Sequence, residues 1–299
     1  ERRAALRRLA RRTYWLLTPH RRAMRKQWVV WAPQNGQSAR RLSSLSKEMH
    51  ARIPPLRQAY GPSAVEQLDI YRTTAPDAPI FVMVHGGGWR VGLARDAAFA
   101  AETFVRAGAH YVVPDFIGSE AAGGDLRVIA DQVNRSIAWV HRNAASFGGD
   151  PDRLYVGGHS SGGHLCAVAL VTDWQAEYGL PADLVKGALL MSGIFDLRTV
   201  RSSRFAPQLV ITDEIEQAFS PQRRIEALRA PIVVTCGDAE APEFKRQSQA
   251  FAAAAQAAGK PAELIEAAHF GHIEMAESLG NPYGPNGRAA LRLMQLAGR

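Results

Sequence analysis

The sequence predicts an α/β architecture: a mostly parallel central sheet with helices on both faces and a helical N-terminal extension. Three observations predict it. From Tyr60-Gly61-Pro62 onward, short apolar runs alternate with helical periodicities, as in strand–helix units wound into an open sheet. Pro79-Ile80-Phe81-Val82-Met83-Val84 is apolar without a break, as a parallel strand covered on both faces must be. Gly158-His159-Ser160-Ser161-Gly162 stands between an apolar run ending at Val156 and a helix-like run from Gly163, a strand-to-helix turn with a serine at its centre.

Each element follows from its own pattern. Residues 1–58 read as a basic helical arm or cap, and residues 59–299 as one catalytic domain, since chains of this length often build a single α/β core. In the arm, Leu6, Leu9, Thr13, Leu16 and Leu17 recur at helical spacing. Ala32-Pro33-Gln34-Asn35-Gly36 breaks that pattern, and Leu42 to Ile53 predicts a second short amphipathic helix. Val65, Leu68 and Ile70 alternate as an outer strand with one covered face. Ala97 to Ala107 predicts a helix, then His110 to Val113 a strand. Leu126 to Phe147 predicts a long helix with Ile129, Val133, Ile137 and Val140 on one face. After the serine turn come a strand at Val185–Met191, a helical excursion over Ser203–Leu228 and a strand at Pro231–Cys236. A helix at Glu243–Gly259, a strand at Ala262–Ile265 and a last helix at Gly287–Ala297 complete the reading.

Charge is concentrated in the arm. Ten Arg and Lys side chains among residues 1–26 face Glu1 alone, so that segment carries +9 and the remainder −1, which together make the chain's +8. An arginine-rich segment attracts polyanions, but no nucleic-acid reading module accompanies it, and no nucleic-acid partner is expected. Its apolar stripe fits a weak contact with an anionic membrane surface, a lid over the pocket, or a helix docked on the body. Arg11-Arg12 has the form of a twin-arginine signal, but Pro19, His20, Arg21 and Arg22 interrupt the apolar stretch such a signal needs. No run of eighteen apolar residues predicts a membrane span. A cytoplasmic location is expected, with room for a removed leader because the sequence begins at Glu1. Cys166 and Cys236 lie in apolar segments as core residues, no Cys/His cluster has metal-ligand spacing, and neither metal nor cofactor is expected.

The chemistry resides in two motifs at predicted strand ends. A serine in a G-x-S-x-G strand-to-helix turn is the nucleophile elbow of α/β-hydrolases. The turn needs glycine at 158 and 162, and it lifts the Ser160 hydroxyl toward the unpaired amides of a helix N-terminus. His85-Gly86-Gly87-Gly88-Trp89 follows the buried strand at 79–84 as an H-G-G-G oxyanion loop. Neither G-x-x-x-x-G-K-[ST] nor G-x-G-x-x-G fits it, which excludes a phosphate loop. The expected oxyanion donors are the amides of Gly87, Gly88 and Ser161. His85, Trp89 and His159, which flank these motifs, are the candidates for substrate contact, with Trp89 reading equally as pocket wall or core. A serine nucleophile needs a histidine and an orienting carboxylate, in the chain order Ser, acid, His. His269 and His272 follow the last predicted strand. His164 reads as a packed residue of the elbow helix and Asp196 as a loop cap. Asp238 and Glu240 both follow the strand at Pro231–Cys236, and chain order alone favours the aspartate.

The two motifs, together with Ser192-Gly193-Ile194-Phe195-Asp196-Leu197 and Pro242-Glu243-Phe244-Lys245-Arg246-Gln247-Ser248, resemble the arylformamidase (kynurenine formamidase) branch of the hormone-sensitive-lipase-like α/β-hydrolases. The resemblance spans roughly residues 60–299. It implies the α/β-hydrolase fold and places the triad acid just before Ala241-Pro242-Glu243-Phe244, at Glu240, where an aspartate is commoner in that branch. It implies His272, in Gly271-His272-Ile273-Glu274-Met275, in preference to His269. The expected function is a cofactor-free serine hydrolase with the triad Ser160, Glu240 and His272, acting on carboxylic esters with small to medium acyl groups. The alternative is amide hydrolysis of aryl formamides such as N-formylkynurenine. A hydrolase-shaped binding protein without chemistry is the third reading, and a homodimer is one expected assembly.

Overall fold

The computed structural model describes residues 34–203 and 205–296. The helical reading of residues 6–17, and most of the basic arm, lie outside the described residues. Along the described chain, α1 (Asn35–Arg52), β1 (Leu56–Ala59), β2 (Gln67–Tyr71) and β3 (Ala78–Val84) are followed by α2 (Ala101–Arg106) and β4 (His110–Pro114). Then come α3 (Leu126–Asn143), β5 (Gly149–His159), α4 (Ser161–Leu170), α5 (Trp174–Tyr178) and β6 (Gly187–Met191). The remainder is α6 (Asp213–Ala218), β7 (Ile232–Gly237), α7 (Pro242–Ala257), β8 (Ala262–Ala267), α8 (His272–Glu277) and α9 (Pro285–Leu293).

The strands form one eight-stranded sheet in the order β1-β2-β4-β3-β5-β6-β7-β8. β1 and β2 pair antiparallel, β2 pairs antiparallel with β4, and every pairing from β4 through β3 to β8 is parallel. All seven residues of β3 are buried. Ile80, Val82 and Val84 pack into one core layer with Ile129, Val133 and Ile137 of α3 and Leu165 of α4. Phe81 and Met83 point the other way, into a second layer with Phe104, Tyr111 and Leu291. An unbroken apolar run is therefore what this position requires, because both faces are covered. β3 lies between β4 and β5, so chain connections leave it in both directions. The crevice beyond the carboxyl ends of these strands is where open α/β sheets bind ligands.

Several boundaries differ from the sequence expectation. Asn35 and Gly36, expected in a break, form the first turn of α1, which begins seven residues before Leu42. This helix is fastened to the body: Ser46 Oγ donates to Asp96 O at 2.7 Å, and Arg41 pairs with Glu277 of α8 at 2.6 Å. β1 straddles the expected boundary at residue 58 and pairs with β2, so the sheet begins inside the segment assigned to the arm. Val65 precedes β2 rather than joining it. The helix expected at 97–107 is a 3-10 run, Ala94–Ala100, leading into α2. The excursion after Ser203 is mostly short turns around α6, whose first turn is capped by Thr212 Oγ1 accepting from Ile215 N.

Candidate active site

Five neighbouring strands of the sheet each end in a residue of one cluster. β3 runs into His85–Gly88, β5 into Ser160, β6 into Ser192, β7 into Gly237 and Glu240, and β8 into the loop that leads to His272 at the start of α8. The elbow serine has φ 57° and ψ −121°, and Ser192 has φ 49°, both outside the ordinary regions for a residue with a side chain. Such strain, on the order of 1–3 kcal/mol per residue, persists only where the surroundings fix it. Here each residue is tied to the next strand: Ser160 N donates to Met191 O at 2.9 Å and Ser192 N to Thr235 O at 2.7 Å. The elbow glycines have no room for a side chain, because a Cβ on Gly158 would run into the Gly162 carbonyl and one on Gly162 into the Val84 carbonyl.

Glu240 and His272 meet as a buried pair. His272 Nδ1 lies 2.7 Å from Glu240 Oε2. The other oxygen of Glu240 accepts from Ser192 Oγ at 2.5 Å and from Gly237 N at 2.8 Å. A carboxylate held by three donors is fixed in place, and His272 Nδ1 must carry its proton to be the third, which leaves Nε2 as the acceptor. Asp238 is engaged elsewhere. Its Oδ1 accepts from His269 N at 2.7 Å across an exposed turn, and His269 is itself exposed. The structure brings Glu240 and His272 together and leaves Asp238 and His269 apart from them. Asp196 accepts from Arg198 N at 2.9 Å, the loop cap that its position suggested.

Ser160, His272, His85, Gly87, Gly88 and His159 line one cavity of about 360 Å3, whose wall also includes Leu42 of α1, Phe205 and Gln208. Small-molecule sites run from about 300 to 1,000 Å3, so this one suits a compact substrate. Gly87, at φ 129°, accepts from Arg90 N and Val91 N, which folds the glycine loop back on itself. Ser161 is buried and outside the cavity wall. As the first residue of α4 its amide has no acceptor within the helix, so its main chain is what it can offer.

Trp89 requires a correction. It does not line the cavity; it is 2% exposed, and its Nε1 donates to His164 Nδ1 at 3.0 Å. His164 Nε2 in turn donates to Phe219 O at 2.8 Å, so the two side chains tie the glycine loop to α4 and to the segment after α6. An indole whose only polar atom already has a buried partner belongs to the core, not to a substrate. His85 lines the cavity, donates from Nδ1 to Gly86 O at 2.9 Å and stacks on Phe116 at 4.2 Å. Burial pushes its imidazole pKa down, as it does for His159, where the neighbouring His272 pushes further in the same direction. Residues absent from the sequence reading of the site include Ser192, Gly237, Leu42, Phe205 and Gln208. Ser192 belongs to a motif at a strand end, but nothing local announces that its hydroxyl faces a carboxylate 48 residues on.

Comparison with known proteins agrees with this architecture. The BD-FAE family model matches residues 68–254. Kynurenine formamidase of Danio rerio is 32% identical over 227 residues, covering 74% of this chain and 75% of that protein. Esterase LipQ of Mycobacterium tuberculosis is 30% identical over 274 residues, 81% of this chain and 65% of LipQ. The crystal structure of EstE1, a thermophilic carboxylesterase from a metagenomic library, superposes with a TM-score of 0.67 at 19% identity, covering 88% of this chain and 98% of that one, which speaks to the fold. With its sheet order, elbow and glycine loop, the chain is a hydrolase and belongs to the BD-FAE family of the hormone-sensitive-lipase-like α/β-hydrolases.

Proposed function

We propose that the protein hydrolyses carboxylic esters through an acyl-enzyme, with Ser160 as nucleophile, His272 as general base and acid, and Glu240 as the orienting carboxylate. The observation that carries this reading is the buried Glu240–His272 pair opening onto the same cavity as Ser160 and the glycine loop. In the proposed reaction His272 Nε2 takes the Ser160 proton as Oγ attacks the ester carbonyl. The oxygen that gains charge is held by the amides of Gly87, Gly88 and Ser161, each such donor contributing roughly 10²–10³ in rate. His272 then protonates the leaving alkoxide, and a water attacks the acyl-enzyme by the same route in reverse. Glu240 holds the tautomer and stabilises the imidazolium without taking the proton.

A second reading is favoured by the kynurenine formamidase match over three quarters of both chains: the acyl group is formyl and the leaving group an aryl amine. Hydrolysis of p-nitrophenyl esters against N-formyl anilines by one preparation tests the choice. A kcat/KM higher for the formanilides would make the second reading the right one. Loss of fluorophosphonate labelling in Ser160→Ala would support the nucleophile common to both. The two buried free cysteines suit the cytoplasmic location proposed with this function. Among the described residues no helix is long and apolar enough to cross a membrane. Membrane-surface contact by the basic arm and homodimer formation are further proposals, read by vesicle co-sedimentation and light scattering.

A further inference from the structure

The His272 ring is held on more than its Glu240 edge. Phe244, in the first turn of α7, stacks on it with centroids 4.1 Å apart and planes 30° apart. The His159 ring lies 4.4 Å away at 45°, and His159 Nε2 is 2.8 Å from the His272 carbonyl oxygen. A carbonyl only accepts, so Nε2 carries the proton and His159 is the neutral Nε2–H tautomer.

We propose that His159 and Phe244 are positioning residues for the catalytic base: His159 tethers the main chain of residue 272, and Phe244 fixes the plane of its imidazole. The proposal rests on His272 being that base. A single hydrogen bond from Nδ1 to Glu240 fixes one point of the ring but not its tilt, because the torsion between Cβ and an aromatic ring is broad. A ring packed on the imidazole face removes that freedom. The tether removes the remaining one, movement of the loop between β8 and α8. A misplacement of about 1 Å at a reacting group costs on the order of 10² in rate, so the constraint has a use in this reaction. The face of Phe244 also favours the imidazolium that forms as the proton moves, since the centre of an aromatic ring attracts cations.

Both side chains are committed to His272, although the His159 ring also lines the cavity. His159 has given its one N–H to the His272 carbonyl, and its Nδ1 side packs against Gly86, where an added Cβ would lie 3.2 Å from Nδ1. Phe244 is 1% exposed and does not line the cavity, so it acts through His272 rather than on substrate. Its helix turn is anchored: Glu243 pairs with Arg246 at 2.6 Å and accepts from Gln247 Nε2 at 3.2 Å, while Gln247 Oε1 accepts from Phe195 N and Asp196 N. The Pro242–Ser248 stretch, which carried only a resemblance in the sequence, thereby acquires a mechanical reading as the backing of the base.

The test compares His159→Phe, which keeps a ring without the donor, Phe244→Leu, which fills the space without an aromatic face, and Phe244→Tyr, which restores the face. Each is read by kcat and KM on p-nitrophenyl butyrate, by thermal midpoint, and by the low-field proton resonance of the His272–Glu240 hydrogen bond. The expected result is a kcat lower by about 10- to 100-fold in His159→Phe and Phe244→Leu, with KM within about threefold and the resonance broadened. Phe244→Tyr is expected to return kcat to within about threefold of the parent. Folded His159→Phe and Phe244→Leu with kcat within about twofold of the parent and an unchanged resonance would overturn the proposal. Should His159→Phe fail to fold, His159→Leu, which removes the donor with a smaller side chain, is read by the same measures: a kcat unchanged in both it and Phe244→Leu overturns the proposal, and a loss supports it. His272→Ala is run alongside. Parent-like turnover there removes the triad reading itself, whereas an inactive His272→Ala beside unimpaired positioning variants removes this proposal alone.

Discussion

Glu240 Oε2 lies 2.7 Å from His272 Nδ1, while the opposite oxygen of the same carboxylate is shared by Ser192 Oγ and the Gly237 amide. A glutamate at this position reaches both sets of partners at once. The extra methylene lets one carboxylate span from the end of β7 to the imidazole while its far oxygen stays anchored beside β6. Asp238, two residues earlier, is occupied by the amide of His269.

Glu240→Gln and His272→Ala are accordingly expected to lose kcat on the scale of ~10⁴, as when a triad carboxylate is neutralised elsewhere. Asp238→Asn and His269→Ala, which alter only an exposed turn, are expected to stay within about tenfold of the parent. Steady-state kinetics on one ester decides it, and an inactive Asp238→Asn beside an active Glu240→Gln would reverse the assignment. Ser192→Ala leaves the carboxylate with one donor fewer and is expected to fall between these groups.

Ser160→Ala removes one hydroxyl from a turn whose shape is set by main-chain bonds, so its fold and thermal midpoint are expected to persist while acyl-enzyme formation ends. Ser161→Ala is expected to be mild, because that side chain is outside the cavity and the proposed role falls to its amide alone. Mass spectrometry after fluorophosphonate treatment reads both. Labelling of Ser160→Ala would place the nucleophile elsewhere.

The sheet, the elbow and the glycine loop were legible because each is a local pattern with a steric cause. β3 needs an apolar residue at every position, and the elbow needs glycine at 158 and 162 whatever surrounds it. The partner of His272 was not legible in that way. Asp238 stands one residue and Glu240 three beyond the end of β7, and which one turns inward depends on Ser192 and Gly237 filling the far side of the carboxylate. Trp89 was undecidable for the same reason, since its partner His164 is 75 residues away. The start of α1 was missed because Asn35 and Gly36 are poor helix formers held by docking, with Ser38 and Ser46 buried against the body.

Gly162→Ala tests how tightly the elbow and the glycine loop are fitted. Its new Cβ would fall inside van der Waals contact of the carbonyls of both Val84 and His85, which are main chain and cannot swing aside. The expected outcome is a lowered thermal midpoint and loss of activity together, since relief requires the glycine loop to move. Gly36→Ala, where the nearest neighbour is the end of Arg40 at 3.7 Å, is the control and is expected to be neutral or stabilising by up to about 1 kcal/mol. Equal midpoints for the two variants would contradict this fit.

Acid stability follows from the buried histidines. Burial pushes His164 down to about 4, and His85 and His159 are lowered by the same cause. In the unfolded chain an imidazole titrates near ~6.5. Above that pH these groups are neutral in both states and their contribution is whole. As pH falls from ~6.5 toward 4, the unfolded chain binds protons that the folded chain does not, so stability falls with falling pH. Below about 4 His164 protonates in the folded chain too, and its share of the loss levels off, having reached roughly 3 kcal/mol. His164→Gln removes that titration. The variant is expected to be less stable than the parent at pH 8, because the bonds to Trp89 and Phe219 are imperfectly replaced, yet to lose less between pH 7 and pH 4.5. Urea unfolding at a series of pH values measures both slopes. Parallel slopes would mean that the acid sensitivity resides in other groups.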